Sequence, residues 1–240
     1  MPSECVNWAQ NAMKTRDRIL KASLQLFNEQ GERNVTTNHI AAHLGISPGN
    51  LYYHFRNKAD IIYSLFLQYR ALVDRYLTVP RDRTLTVEDK MFYLESVFDG
   101  LWHYRFFHRD LEYLLTMDER LRHDYREFTF QCLGEIRAVL KGLQDASILR
   151  PHSEQEHEAM ALNVWLVVTN WMAFLKTASA DGESDGSSQR ELKQGIYQVL
   201  TLEMPYLTEA YYDRVAAIRE QYRPDITASE TRQAETDLSV

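Results

Sequence analysis

The stretch VTTNHIAAHLGISPGNLYYHFRNK, Val35 to Lys58, decides the fold. Thr36 or Thr37 can cap a first short helix that runs to about Leu44. Gly45 suits the left-handed residue that closes a helix. Ser47 then caps a second helix, and Pro48 stands at its first position, where a missing N–H costs nothing. Two short helices joined by so tight a turn form a helix-turn-helix, the unit whose second helix enters the DNA major groove. Upstream, about Thr15 to Gln30 carries Ile19, Ala22, Ser23, Leu26 and Phe27 at helical spacing, and Gly31 ends it. Downstream, Asn57 caps a longer helix with Asp60 at its third position. Ile62, Leu65, Phe66, Tyr69, Val73 and Tyr76 form its stripe.

Charge is divided in a way that fits this reading. The chain of 240 residues has a net charge of −7, which alone argues against nucleic acid. Residues 14–76 nevertheless hold nine Lys/Arg against five Asp/Glu, a balance of +4, and residues 77–240 a balance of −10. The basic part coincides with the helix-turn-helix, as attraction to phosphate requires, and the acidic part should face away from DNA. Cys5 and Cys132 lie far apart without metal spacing, so neither a disulfide framework nor a metal is expected, and a reducing cytoplasm fits. Met1–Ala12 lacks an apolar run behind basic residues, so no signal peptide is expected.

The rest of the chain reads as helices. Residues 1–13 read as a flexible arm, 14–60 as the DNA-binding domain, and about 58–77 as a connecting helix. Residues 78–222 read as a C-terminal domain and 223–240 as a disordered tail. Thr86 and Asp89 cap a helix carrying Met91, Leu94, Phe98 and Leu101. A shorter helix is expected at about 107–115, and a long one at about 118–144 with Leu121, Tyr125, Phe128, Cys132, Ile136, Val139 and Leu143 on one side. Ser153 and Glu156 form a capping box ahead of another at about 154–178. Residues 180–188 read as a polar loop, followed by helices at about 189–203 and 206–221. No period-two run of β-branched residues suggests a sheet, so the fold class is all-α.

From Lys14 to about Phe66 the chain resembles the TetR/AcrR family of bacterial regulators. The resemblance rests on Ile19–Leu20, Ala22, Leu26–Phe27, Gly31, Thr36–Thr37, Ile40–Ala41, Leu44–Gly45–Ile46–Ser47, Gly49, Leu51–Tyr52, His54–Phe55 and Asn57–Lys58. It implies a three-helix DNA-binding domain followed by a helical domain for ligand binding and dimerisation. It implies Asn38, Pro48, Gly49, Asn50 and Tyr53 as base-facing, and Thr37, Tyr52, His54 and Lys58 as phosphate contacts. Many relatives carry Lys or Thr in place of Pro48 and a long polar residue in place of Asn38. Lys58 would be unfavourable to the dipole at the start of its helix, which favours a phosphate partner for it. Tyr52 has a competing reading as filler against the first helix.

A helix-turn-helix reads only a few base pairs, so a homodimer on a palindromic site in double-stranded DNA is expected. The segment Ala159–Leu175 is apolar nearly all round and needs cover on both sides. Interrupted by Asn163, Thr169 and Asn170, it falls short of a membrane span, and no membrane partner is expected. The resemblance pairs it with the helix at about 189–203, giving Leu162, Trp165, Leu166, Thr169, Ile196 and Leu200 as the dimer interface. The aromatic-rich stretch 91–143 suggests a pocket for a small apolar or aromatic effector, with Phe98, Trp102, His103, Phe106, Tyr125, Phe128 and Asn170 as candidate lining. Arg105 and His108 are further polar candidates. The expected protein is a ligand-released transcriptional regulator, a repressor by family habit. The competing reading is a DNA-binding protein controlled by a protein partner, or one with an architectural role. No nucleophile elbow, phosphate loop or HExxH is present, so no catalysis and no cofactor are expected. His152 and His157 sit among Glu154, Glu156 and Glu158, but five-residue spacing places them on different helix faces, and no metal is expected there.

Overall fold

The computed structural model describes residues 14–80, 82–178 and 188–224. The expected arm at 1–13, most of the loop at 180–188 and most of the tail at 223–240 lie outside these. Among the described residues there are twelve α-helices and no strand, only an isolated bridge between Leu149 and Leu207. The helices are α1 (Thr15–Gln30), α2 (Thr37–Leu44), α3 (Pro48–His54), α4 (Lys58–Tyr76), α5 (Val87–His103), α6 (Arg105–Arg109), α7 (Leu111–Met117), α8 (Glu119–Asp145), α9 (Glu154–Ala178), α10 (Gln189–Lys193), α11 (Gly195–Glu203) and α12 (Glu209–Glu220).

The chain divides into two compact units. One comprises residues up to Leu72 together with Tyr104–Tyr125; the other comprises Val73–His103 and the residues from Arg126 on. In the first, Ile19, Leu20 and Phe27 of α1, Ile40 and Ala41 of α2, Leu51 of α3, and Ile61, Leu65 and Phe66 of α4 are buried together with Phe55. The division gives this unit a piece, Tyr104–Tyr125, from within the stretch 78–222 that the sequence assigns to the C-terminal domain. Phe106 lies against Phe27 at 5.2 Å between ring centroids, and Phe107 stacks on Phe66 at 5.7 Å. The buried Asn28 accepts a hydrogen bond from the Phe106 backbone N–H at 3.0 Å. These long-range aromatic contacts have no signature in local helical spacing.

The second unit closes around Leu94, Phe98, Leu101, Leu143, Met160, Val164, Trp171, Ile196, Val199 and Leu200. The helix expected at about 189–203 is broken at Gln194, where three-residue hydrogen bonds replace four-residue ones (Gln194 N–H to Glu191 O, and Tyr197 N–H to Gln194 O). Gly195 follows directly. A Cβ there would lie 2.6 Å from the Phe98 ring and 2.8 Å from the Trp171 ring, so only glycine permits this approach. The single helix expected at about 107–115 is likewise two, parted at Asp110. One ion pair is sealed in the core: the Lys90 ammonium of α5 meets the Glu203 carboxylate of α11, both buried. By length and hydropathy alone α9 would also suit a membrane; its His157, Met160, Ala161, Val164, Val168, Trp171 and Met172 are buried within this unit.

Candidate nucleic-acid interface

Thr36, not Thr37, caps α2. Its hydroxyl accepts from the His39 N–H at 3.2 Å, and His39 Nδ1 accepts in return from the Thr36 N–H at 3.4 Å. Gly45 stands at φ 65° in the left-handed region and ends the helix. The Ser47 hydroxyl then accepts from the Asn50 N–H at 3.2 Å, with Pro48 opening α3. Asn57 Oδ1 accepts from the Asp60 N–H at 2.9 Å to start α4. The starts of α2, α3 and α4 are thus held by side chains and the end of α2 by glycine. α3 ends at Phe55 with a backbone hydrogen bond to Leu51 O, and Leu51 and Phe55 fasten the unit to the core.

The outward face of α3 carries Pro48, Gly49, Asn50, Tyr52 and Tyr53, all exposed, Tyr53 to 86%. Asn38 of α2 is exposed as well. The Tyr52 hydroxyl hydrogen-bonds the Thr37 hydroxyl at 3.0 Å, joining the start of α2 to α3. His54 meets the Tyr53 ring edge-on at 5.1 Å.

Lys58 is used otherwise than the sequence suggests. Its ammonium donates to the backbone carbonyls of Glu32 at 3.0 Å and Val35 at 3.1 Å, and pairs with the buried Glu32 carboxylate at 2.7 Å. An ammonium has three donors, and these partners engage all three. The expected phosphate contact is therefore corrected to an internal tie that holds α4 to the turn after α1. Two other cations have partners within the protein while remaining exposed. Arg16 lies over the Phe55 ring and donates to Ser64, while Arg33 pairs with Asp110 and lies over Tyr113.

The seven residues expected to line an effector pocket are divided between the two units. Phe106 and Tyr125 belong to the first unit and the other five to the second. Phe98 is fully enclosed beneath Gly195, Phe128 is buried, and Asn170 is exposed on α9 with its amide donating to Leu166 O. His108 hydrogen-bonds the Tyr69 hydroxyl at 3.1 Å, and burial pushes its imidazole down to about 4, so it is neutral near pH 7. A cavity of about 280 Å³ in the second unit has a different lining: Val73, Asp74, Leu77, Thr78, Val79, Pro80, Gln131, Cys132 and Glu135. Burial and the neighbouring charge of Asp74 raise the Glu135 carboxyl above its ordinary range. Gln131 donates to Asp74 at 2.8 Å. The sequence reading missed this lining; Glu135, three residues past Cys132 and beside the apolar stripe of α8, is a sign that could have found it.

Of the expected dimer residues, Leu162 and Leu166 are exposed to 47% and 49%. Phe174, 51% exposed, extends their row along α9. Trp165 packs edge-on to Phe128 at 6.4 Å, and the Thr169 hydroxyl donates to Trp165 O. Ile196 and Leu200 are corrected: both are buried within one chain and leave no surface for a second. The imidazoles of His152 and His157, expected on different faces, lie 5.4 Å apart between centroids, because His152 precedes α9 rather than belonging to it.

A helix-turn-helix with both helix starts capped, presenting a polar and aromatic second helix, defines a DNA-binding regulator. Residues 19–65 match the family model described as bacterial regulatory proteins, tetR family, and residues 68–215 match one described as bacterial transcriptional repressor. The chain belongs to the TetR family of transcriptional regulators. It is similar to a TetR-family transcriptional regulator from Marinobacter aquaeolei VT8, with 66% identity, a TM-score of 0.82, and coverage of 88% of this chain and 100% of that one. It is 43% identical over 53 residues to an HTH-type transcriptional regulator of Staphylococcus aureus (strain USA300), a match over 22% of this chain and 29% of the relative. The chain thus spans under a third of the length of that curated relative. A transcriptional regulator from Saccharomonospora viridis, solved in complex with choline, shares the fold at 18% identity and a TM-score of 0.57, over 78% of this chain and 95% of that one.

Proposed function

We propose that this regulator is a repressor that binds a palindromic operator as a homodimer and is released by a small effector. Asn38, Pro48, Gly49, Asn50 and Tyr53 face the bases, and Thr37, Tyr52 and His54 touch phosphate. The observation that carries the reading is the face of α3: polar and aromatic groups stand in solvent on a helix whose start is capped by Ser47 and whose inner side is anchored by Leu51. A row of exposed leucine and phenylalanine on α9 is the matching argument for a two-fold contact, since such a patch is costly to leave in water.

The effector site is the cavity at the end of α4. Its lining carries two carboxylates and no basic side chain, so the fitting effector has an apolar body and a positive charge. Val73 and Asp74 belong to the last turns of α4, and the first turn of that same helix is tied by Lys58. Occupancy favours one placement of α4 over another, and the dimer then no longer matches its operator spacing. Thermal-shift titration with small organic cations and with neutral molecules of the same shape tests this. Stabilisation by a cation, together with release of DNA, supports it; an effector that binds free and DNA-bound protein equally well refutes it.

A further inference from the structure

Base pairs differ in what their major-groove edges ask of a side chain. Guanine shows two acceptors and is read by the paired donors of Arg or Lys. Cytosine shows a donor and is read by a carboxylate. Adenine shows one acceptor and one donor, which a carboxamide matches. Thymine shows a methyl group, which an apolar surface matches. The first residues of the second helix of a helix-turn-helix reach these edges.

Measured against those requirements, the exposed face of α3 is one-sided. Pro48, Gly49, Asn50, Tyr52 and Tyr53 include no Lys, Arg, Asp or Glu, and α2 adds a second carboxamide, Asn38. The nearby cations stand off α2 and α3: Lys58 of α4 is held by Glu32 and Val35, Arg33 of the turn after α1 pairs with Asp110, and Arg16 of α1 donates to Ser64 and lies over the Phe55 ring. Arg56 follows the C-terminal end of α3, away from the residues that lead into the groove. Gly49 adds an independent sign. Its backbone does not need glycine, and a Cβ there would have only the Ser47 hydroxyl near it, at 3.9 Å. Nothing inside the protein requires a bare backbone at that point, and the missing side chain leaves the backbone open on the outward face.

We infer that each operator half-site is read in the major groove as A·T pairs, with Asn50 and Asn38 on adenine edges, and Pro48 and the Tyr53 ring against thymine methyls. Gly49 lets the backbone close onto them. This rests on the DNA-reading role proposed above. The edge-on contact of His54 with Tyr53 steadies the ring that would meet the methyl.

The test is selection of bound duplexes from a random pool by the full chain, followed by sequencing, with Asn50→Ala and Asn50→Arg alongside. The side chain of Asn50 is exposed, so both variants should keep the thermal midpoint, which is measured as the control. The expected result is a palindrome with A·T pairs at the positions facing α3. Asn50→Ala should flatten the preference at one base pair per half-site. Asn50→Arg should move that base pair to G·C, with discrimination on the order of tenfold or more. A palindrome cored by G·C overturns the base assignment while leaving the regulator reading intact. A chain that enriches no sequence overturns both. Asn50 variants that select the same site as the parent also overturn the assignment.

Discussion

Replacing Lys58 by alanine separates two roles that the sequence alone cannot tell apart. In the structure its ammonium pairs with a Glu32 carboxylate 3% exposed, while Lys58 itself keeps 30% exposure. Truncation leaves that carboxylate buried without its counter-charge and removes the donor from the carbonyls of Glu32 and Val35. Breaking a fully buried pair costs about 3–5 kcal/mol. Partial exposure of Lys58 lets water replace some of the loss, so about 2–4 kcal/mol is expected here. At roughly 2–4 °C per kcal/mol for a chain of this size, the thermal midpoint falls by roughly 5–15 °C. The double variant Glu32→Leu/Lys58→Met removes both charges and should recover most of that fall. Calorimetry gives the midpoint, and DNA binding across a salt series gives the second readout: affinity per folded molecule should keep its salt slope. An unchanged midpoint together with a slope reduced by about 1 would return Lys58 to the phosphate backbone and refute the internal tie.

Gly195→Ala places a methyl 2.6 Å from the Phe98 ring, and overpacking of this kind should cost about 1–3 kcal/mol, read as a lower urea midpoint at constant m. A gain in stability, the usual result of Gly→Ala in a helix, would contradict the packing at that point. Burial holds His108 at about 4, against about 6.5 in the unfolded chain, so the unfolded state takes up more protons between those values. Stability should therefore fall as pH drops from about 6.5 toward 4, and His108→Gln should flatten that slope in pH-dependent melts. An unaltered slope would place the titration elsewhere. The burial of His157 lowers its imidazole in the same direction, so part of the slope should survive in that variant. Leu166→Glu puts a charge in the exposed row of α9 and should yield folded monomers in sedimentation equilibrium; a dimer that persists at low micromolar concentration would move the interface off α9.

The local devices were readable because each is written within four residues: Ser47 before Pro48, Gly45 after Leu44, Asn57 before Asp60, and Ser153 before Glu156. What was not readable depends on partners far along the chain. The break at Gln194 reflects the approach of Gly195 to Phe98 and Trp171, residues from two other helices. Lys58 looks like a free cation until Glu32, twenty-six residues earlier, is placed beside it. Ile196 and Leu200 fit an apolar stripe equally well whether it meets this chain or a second copy, and only the packing decides for this chain. The aromatic wealth of 91–143 went into closing cores at Phe98, Phe106, Phe107 and Phe128. The cavity lies where α4 ends and Asp74 and Glu135 interrupt the apolar stripes.

The proposed role of α2 and α3 is to place this regulator on a specific palindrome as a dimer. The most direct measurement is capture of genomic fragments from the source organism by purified full-length protein, followed by footprinting and stoichiometry on the best fragment. The expected result is one short inverted repeat, protected by two chains per site (or a multiple of two), with binding that weakens steeply as salt rises. Protection without a shared sequence, or by a single chain on an asymmetric site, would contradict it.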